Sequence, residues 1–88
     1  MNTRSYEAAL KSIERIAKPS AQIMEAKQKI LFQLGTQSFA NANFEQALQY
    51  LNQSITIGQY NRQTKADAYY WCGESYYRLN RMMEAARD

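Results

Sequence analysis

Ala68-Tyr69-Tyr70-Trp71-Cys72-Gly73-Glu74-Ser75-Tyr76-Tyr77 decides the fold, because half of its positions repeat the glycine or the apolar character of a stretch found 38 positions earlier. At that shift Leu31 falls on Tyr69, Phe32 on Tyr70, Leu34 on Cys72, Gly35 on Gly73 and Phe39 on Tyr77. Outward from this block the register holds. Ala9, Ala47 and Ala85 coincide, as do Tyr6, Phe44 and Met82; Leu10 falls on Leu48 and Ile13 on Leu51. Self-similarity at a fixed period of this size is the mark of a repeat array built from one supersecondary unit.

Periodicity makes that unit a pair of helices. Tyr6, Ala9, Leu10, Ile13, Ile16 and Ala17 are spaced by threes and fours, which predicts an amphipathic helix that Pro19 stops. Ser20 can cap a second helix reaching Ala40, with Ile23, Ala26, Ile30, Leu31, Leu34 and Phe39 as its apolar positions. Asn41-Ala42-Asn43 reads as a turn, and Asn43 with Gln46 as a capping box opening a third helix that Gly58 closes. Thr64 with Asp67 predicts a fourth helix to about Leu79, and a fifth is expected from Arg81. The expected fold is all-α: antiparallel helix-pair repeats, an α-solenoid fragment of about five helices with a period of 38. The units run 1–18 as the second helix of a preceding repeat, 20–58 as one complete repeat, and 64–88 as an incomplete following one. This register predicts a piece of a longer array.

Gly35 and Gly73 lie inside predicted helices, where Gly costs about 1 kcal/mol relative to Ala. Ala9, Ala47 and Ala85 are small where a core can take Leu. Both choices suit helices that cross closely at those points.

Leu31-Phe32-Gln33-Leu34-Gly35, followed by Phe39, Phe44, Ala47, Leu51 and Ile55, resembles the tetratricopeptide repeat, and the copy from Ala68 to Tyr77 resembles it further. That copy is similar to a segment of bacterial cell-envelope tetratricopeptide proteins of the Tol–Pal accessory and outer-membrane-assembly lipoprotein type. The chain departs from the family in its longer period, in Ser38 and Ser54 at usually apolar or Ala positions, and in lacking a Pro after Gly58. The resemblance implies a protein-binding scaffold whose concave groove receives a peptide or helix, and it favours the periplasm or cell envelope. The groove it implies comprises Lys29, Phe32, Thr36, Phe39, Asp67, Tyr70, Glu74, Tyr77 and Arg78. The family's carboxylate-gripping Lys and Asn are absent, Phe32 and Thr36 standing in their places. For the four aromatics, contact with a partner and plain packing stand as alternatives; Tyr69, Trp71 and Tyr76 are expected in the core. A second functional reading is a structural spacer or self-assembly segment inside a longer array, with head-to-tail stacking through Tyr6, Leu10, Ile13, Met82 and Met83.

Catalytic chemistry finds few carriers. The chain has no His, which removes the commonest general base and metal ligand. Cys72 is its one thiol and reads as a small core side chain; Gly35, Gly58 and Gly73 are isolated and form no phosphate loop. No enzyme activity, cofactor or metal is therefore expected. The net charge of +3 is uneven, six basic against three acidic groups over residues 1–29, yet Glu7→Lys11, Glu14→Lys18 and Glu25→Lys29 pair in the favourable helical order. Such a face is solvated rather than a nucleic-acid surface. No apolar run is long enough to predict membrane insertion.

Overall fold

The computed structural model describes residues 3–87, with side chains over 4–84, so Ala85 of the sequence register lies outside the described side chains. Among the described residues the chain is all-helical: α1 (Thr3–Glu14), α2 (Ala21–Ala40), α3 (Phe44–Thr56) and α4 (Arg62–Arg87), with a 3-10 turn at Gly58–Tyr60. The molecule is elongated, 50 × 25 × 21 Å, because α4 alone runs 26 residues, about 39 Å of helix. α3 lies between α2 and α4, and α1 packs on α2.

Local chemistry places the breaks. α1 ends at Glu14, and Pro19 follows before the Ser20 hydroxyl accepts from the Ile23 N–H at 3.3 Å to start α2. α2 stops in a Schellman turn: the Asn43 N–H donates to Ser38 O at 2.8 Å and the Ala42 N–H to Phe39 O at 2.9 Å. Ala42 takes φ 62°, a left-handed position that Gly usually fills. Asn43 then caps α3, its side chain accepting from the Gln46 N–H at 3.4 Å and donating to Gln46 Oε1 at 2.8 Å.

The core centres on the crossing of α2 and α3. Ala47 and Leu51 of α3 are fully buried, and a Cβ added to Gly35 would stand 2.6 Å from Leu51 Cγ. Here the missing side chain lets the two backbones approach. Ser54, also fully buried, donates its hydroxyl to the Gln28 carbonyl at 2.9 Å across the same seam. Gln28 is itself buried and donates through Nε2 to Asn61 O at 2.8 Å, tying α2 to the connection that leads into α4. One cluster runs from α3 into α4, Ala47, Leu48, Leu51, Ala68 and Cys72, with Phe32 and Phe39 of α2, Ile55, Trp71 and Leu79 packed against it.

Four expectations change. The first helix ends at Glu14, before Pro19 can stop it, and Ile16 and Ala17 lie outside it, exposed. The fourth and fifth helices are one continuous α4 rather than two. Position 81 is Arg where the preceding turn has the capping Asn43, and Met82-Met83-Glu84-Ala85-Ala86 are good helix formers, so continuing the ladder satisfies the backbone without a cap. The start of α4 is capped by Asn61, which accepts from the Thr64 N–H at 2.9 Å; Thr64 and Asp67 form no box. Gly58 does not end α3 in a left-handed turn: α3 ends at Thr56, no glycine has positive φ, and the Lys65 stem packs where its Cβ would be.

The two glycines give a test. Gly35→Ala drives a methyl into Leu51 and should cost about 1–3 kcal/mol in urea unfolding. Gly73→Ala meets nothing within 4 Å and should gain up to about 1 kcal/mol of helix propensity. Equal effects of the two substitutions would show that α2 and α3 do not approach at Gly35.

Candidate functional site

At 100° per residue, α4 divides into three faces. Ala68, Trp71, Cys72, Ser75 and Leu79 face α3; Ala68, Cys72 and Ser75 are buried, and Ser75 satisfies its hydroxyl on Trp71 O at 2.8 Å. Asp67, Tyr70, Glu74, Tyr77, Arg78 and Arg81 form a second face. Tyr69, Gly73, Tyr76 and Met83 form a third, which meets no helix; Tyr69 and Tyr76 are 57% and 54% exposed.

Tyr69 and Tyr76 therefore leave the core that the sequence assigns them. Their counterparts on α2, Leu31 and Ser38, are buried because α3 covers that face of α2. Among the described residues no element covers the same face of α4, and Gly73, unlike Gly35, has open space beside it. Trp71 and Cys72 do lie against the core, as read from the sequence.

The predicted groove residues occupy matching faces of α2 and α4. Tyr70 is 63% exposed and Tyr77 56% exposed, whereas Phe32 and Phe39 are half-buried and pack against the core. Phe39 is the junction. Its ring meets Trp71 edge-on at 5.0 Å and Phe44 at 5.2 Å, and the Arg78 guanidinium lies over it at 5.9 Å. Tyr70 in turn meets Trp71 at 5.5 Å, so Trp71 links the α2 aromatic to the exposed α4 tyrosine. Phe32 joins no ring pair among the described residues. Lys29 is exposed; Thr36, Asp67 and Glu74 are half-buried. Thr36 donates to Gln33 O at 3.0 Å, and Asp67 accepts from Gln63 Nε2 at 3.1 Å, both within their own helices. The four-ring stripe is thus two exposed tyrosines beside two partly covered phenylalanines.

Arg81 escaped the sequence reading. It donates through Nη1 to the Tyr77 hydroxyl at 3.3 Å and its guanidinium lies over the Tyr77 ring at 5.8 Å. Its spacing four residues beyond Tyr77 and three beyond Arg78 was the available signal.

Among the described residues no group of three or more His, Cys, Asp or Glu side chains is placed to hold a metal, and no helix is long and apolar enough to cross a membrane. The Cys72 thiol is buried, 3.8 Å from Asn52 Oδ1, and burial pushes its pKa above the usual thiol value. No family profile, curated protein or solved structure matches the chain.

A raised thiol pKa in the folded state means the unfolded chain ionises first, so stability falls as pH rises from the ordinary thiol value through the raised folded one. Disulfide-reagent labelling of Cys72 at pH 8 should be slow in buffer and accelerate with urea along the unfolding curve. Fast labelling of the folded chain would place the thiol outside the core.

Proposed function

We propose that the chain is a tetratricopeptide-type interaction segment that binds a peptide or helix of another protein along the face holding Tyr70 and Tyr77. The observation carrying this reading is their exposure: two large aromatic side chains stand 63% and 56% open, fixed on a rigid helix beside a packed Phe39–Trp71 pair. Exposed Tyr rings are common binding anchors, since they bury much area at small entropic cost. Lys29, Thr36, Asp67, Glu74 and Arg78 supply polar contacts along the same faces of α2 and α4. Helix pairs with a close, small-residue crossing at Gly35 and Ala47 fit the tetratricopeptide resemblance, and the envelope location rests on that resemblance. The reading involves no catalysis, cofactor or nucleic acid.

Peptides selected against the chain by display should carry apolar anchors, and Tyr70→Ala should weaken them about tenfold or more while leaving thermal unfolding nearly unchanged. Selected peptides indifferent to Tyr70 and Tyr77 would sink the reading.

One observation favours the alternative of a spacer or self-assembling segment. Tyr69, Tyr76 and Met83 are all more than half exposed on the α4 face that corresponds to the covered face of α2. Because that face is separate from the Tyr70 face, the two readings separate by mutation. Sedimentation at tens of micromolar should show concentration-dependent association that Tyr69→Ser with Tyr76→Ser abolishes and Tyr70→Ala leaves intact. A chain that stays monomeric throughout that range would remove the self-assembly form of the alternative.

A further inference from the structure

Where the last described turns of α4 pass the start of α3, Phe44, Tyr77, Arg78, Arg81 and Met82 line an open cleft of about 550 Å³. We propose that this cleft is an anchoring site for a carboxylate-bearing protein segment with a bulky apolar side chain beside the carboxylate. The proposal deepens the interaction reading above by assigning the chemistry of one end of the partner.

Charge carries the argument. Among the described residues both cations of the lining are arginines, and the lining holds no carboxylate. Neither Arg78 nor Arg81 makes an ion pair among the described residues, although Glu45, Glu74 and Glu84 lie on nearby turns. Each guanidinium is instead laid on a ring, Arg78 over Phe39 at 5.9 Å and Arg81 over Tyr77 at 5.8 Å. Stacking restrains two otherwise flexible side chains, so less freedom remains to be lost when they bind. One Arg81 N–H is used by the Tyr77 hydroxyl, which leaves most donors of both forks open.

Planar forks of this kind match a carboxylate bidentately. The remaining wall is apolar. Phe44, Tyr77 and the exposed Met82 offer ring edges and a flexible thioether, a surface that accepts an aromatic or branched side chain. A cleft of this size lies within the range of small ligand sites and suits two or three residues of a peptide. With two cations and an apolar wall it falls well short of the continuous basic patch that a nucleic-acid backbone requires.

The test uses two fluorescein-labelled heptapeptides, Gly-Asp-Glu-Phe-Glu-Asp-Gly and its amide twin Gly-Asn-Gln-Phe-Gln-Asn-Gly, titrated by anisotropy against the full chain. The acidic peptide should bind at least tenfold tighter than the twin. It should weaken several-fold between 50 and 500 mM salt and lose at least tenfold on Arg78→Gln with Arg81→Gln. Circular dichroism of that double variant should match the parent, and Phe44→Leu, which keeps an apolar wall, should retain the preference for acid over amide. Equal binding of the two peptides, binding of neither up to millimolar, or tighter binding of a twelve-nucleotide single-stranded RNA would overturn the proposal. Display-selected neutral peptides that depend on Tyr70 but not on the arginines would overturn it too, while leaving the interaction surface standing.

Discussion

The structure depends on one close approach. Gly35 on α2 faces Leu51 and the Ala47 carbonyl on α3, and any side chain at that point would have to displace Leu51. With the backbones this near, Ser54 can reach the Gln28 carbonyl, and the buried Gln28 amide can reach Asn61 beyond α3. Polar groups in an apolar seam are costly unless satisfied, so these bonds are selective for one register of α2 against α3. The small residues set how near the helices lie. The hydrogen bonds set where along their length they lock.

This explains why the α2–α3 half was legible and the far half less so. Ser20, the Asn41-Ala42-Asn43 turn, Asn43 with Gln46, and the small residues Gly35 and Ala47 each act locally or through one neighbour, and pattern reading captures such signals. Reading the second copy as a replica of the first failed where the copies differ in surroundings. Tyr69 and Tyr76 sit at positions that are core on α2 only because α3 is there. Burial belongs to the packed pair and not to the position. The run-on of α4 has the same origin: a helix ends in a turn when a cap and a packing partner together outweigh continued hydrogen bonding, and at Arg81 the cap is missing. Ser38 and Ser54, departures from the resembled pattern, are accommodated differently: Ser54 is buried because its hydroxyl has a carbonyl to meet.

The candidate surface was legible in its residue types and only partly in its geometry. The resemblance put Tyr70 and Tyr77 at groove positions, with partner contact and plain packing as alternatives, and they are exposed. Phe32 and Phe39, their equivalents, turn inward far enough to contact the core. The chemistry of the side chains accounts for the split. A phenyl ring gains by burial, whereas a tyrosine ring can keep its hydroxyl in water, so two copies of one pattern can send their aromatics to different depths. Arg81 lay beyond the expected end of the helix, and only the continuity of α4 brings it onto the Tyr77 ring.

That continuity has a consequence for recognition. Had the chain turned at Asn80, Arg81 would have left the helix axis that carries Tyr77 and Arg78, and Met82 would have begun a new element. Because α4 continues, Tyr77, Arg78, Arg81 and Met82 are held in one rigid frame against Phe44 at the start of α3. Rigid placement matters for a site built from Arg side chains, which lose much rotamer freedom when they are fixed by a ligand. The missing cap that extends α4 thus also organises the cationic end of its exposed face.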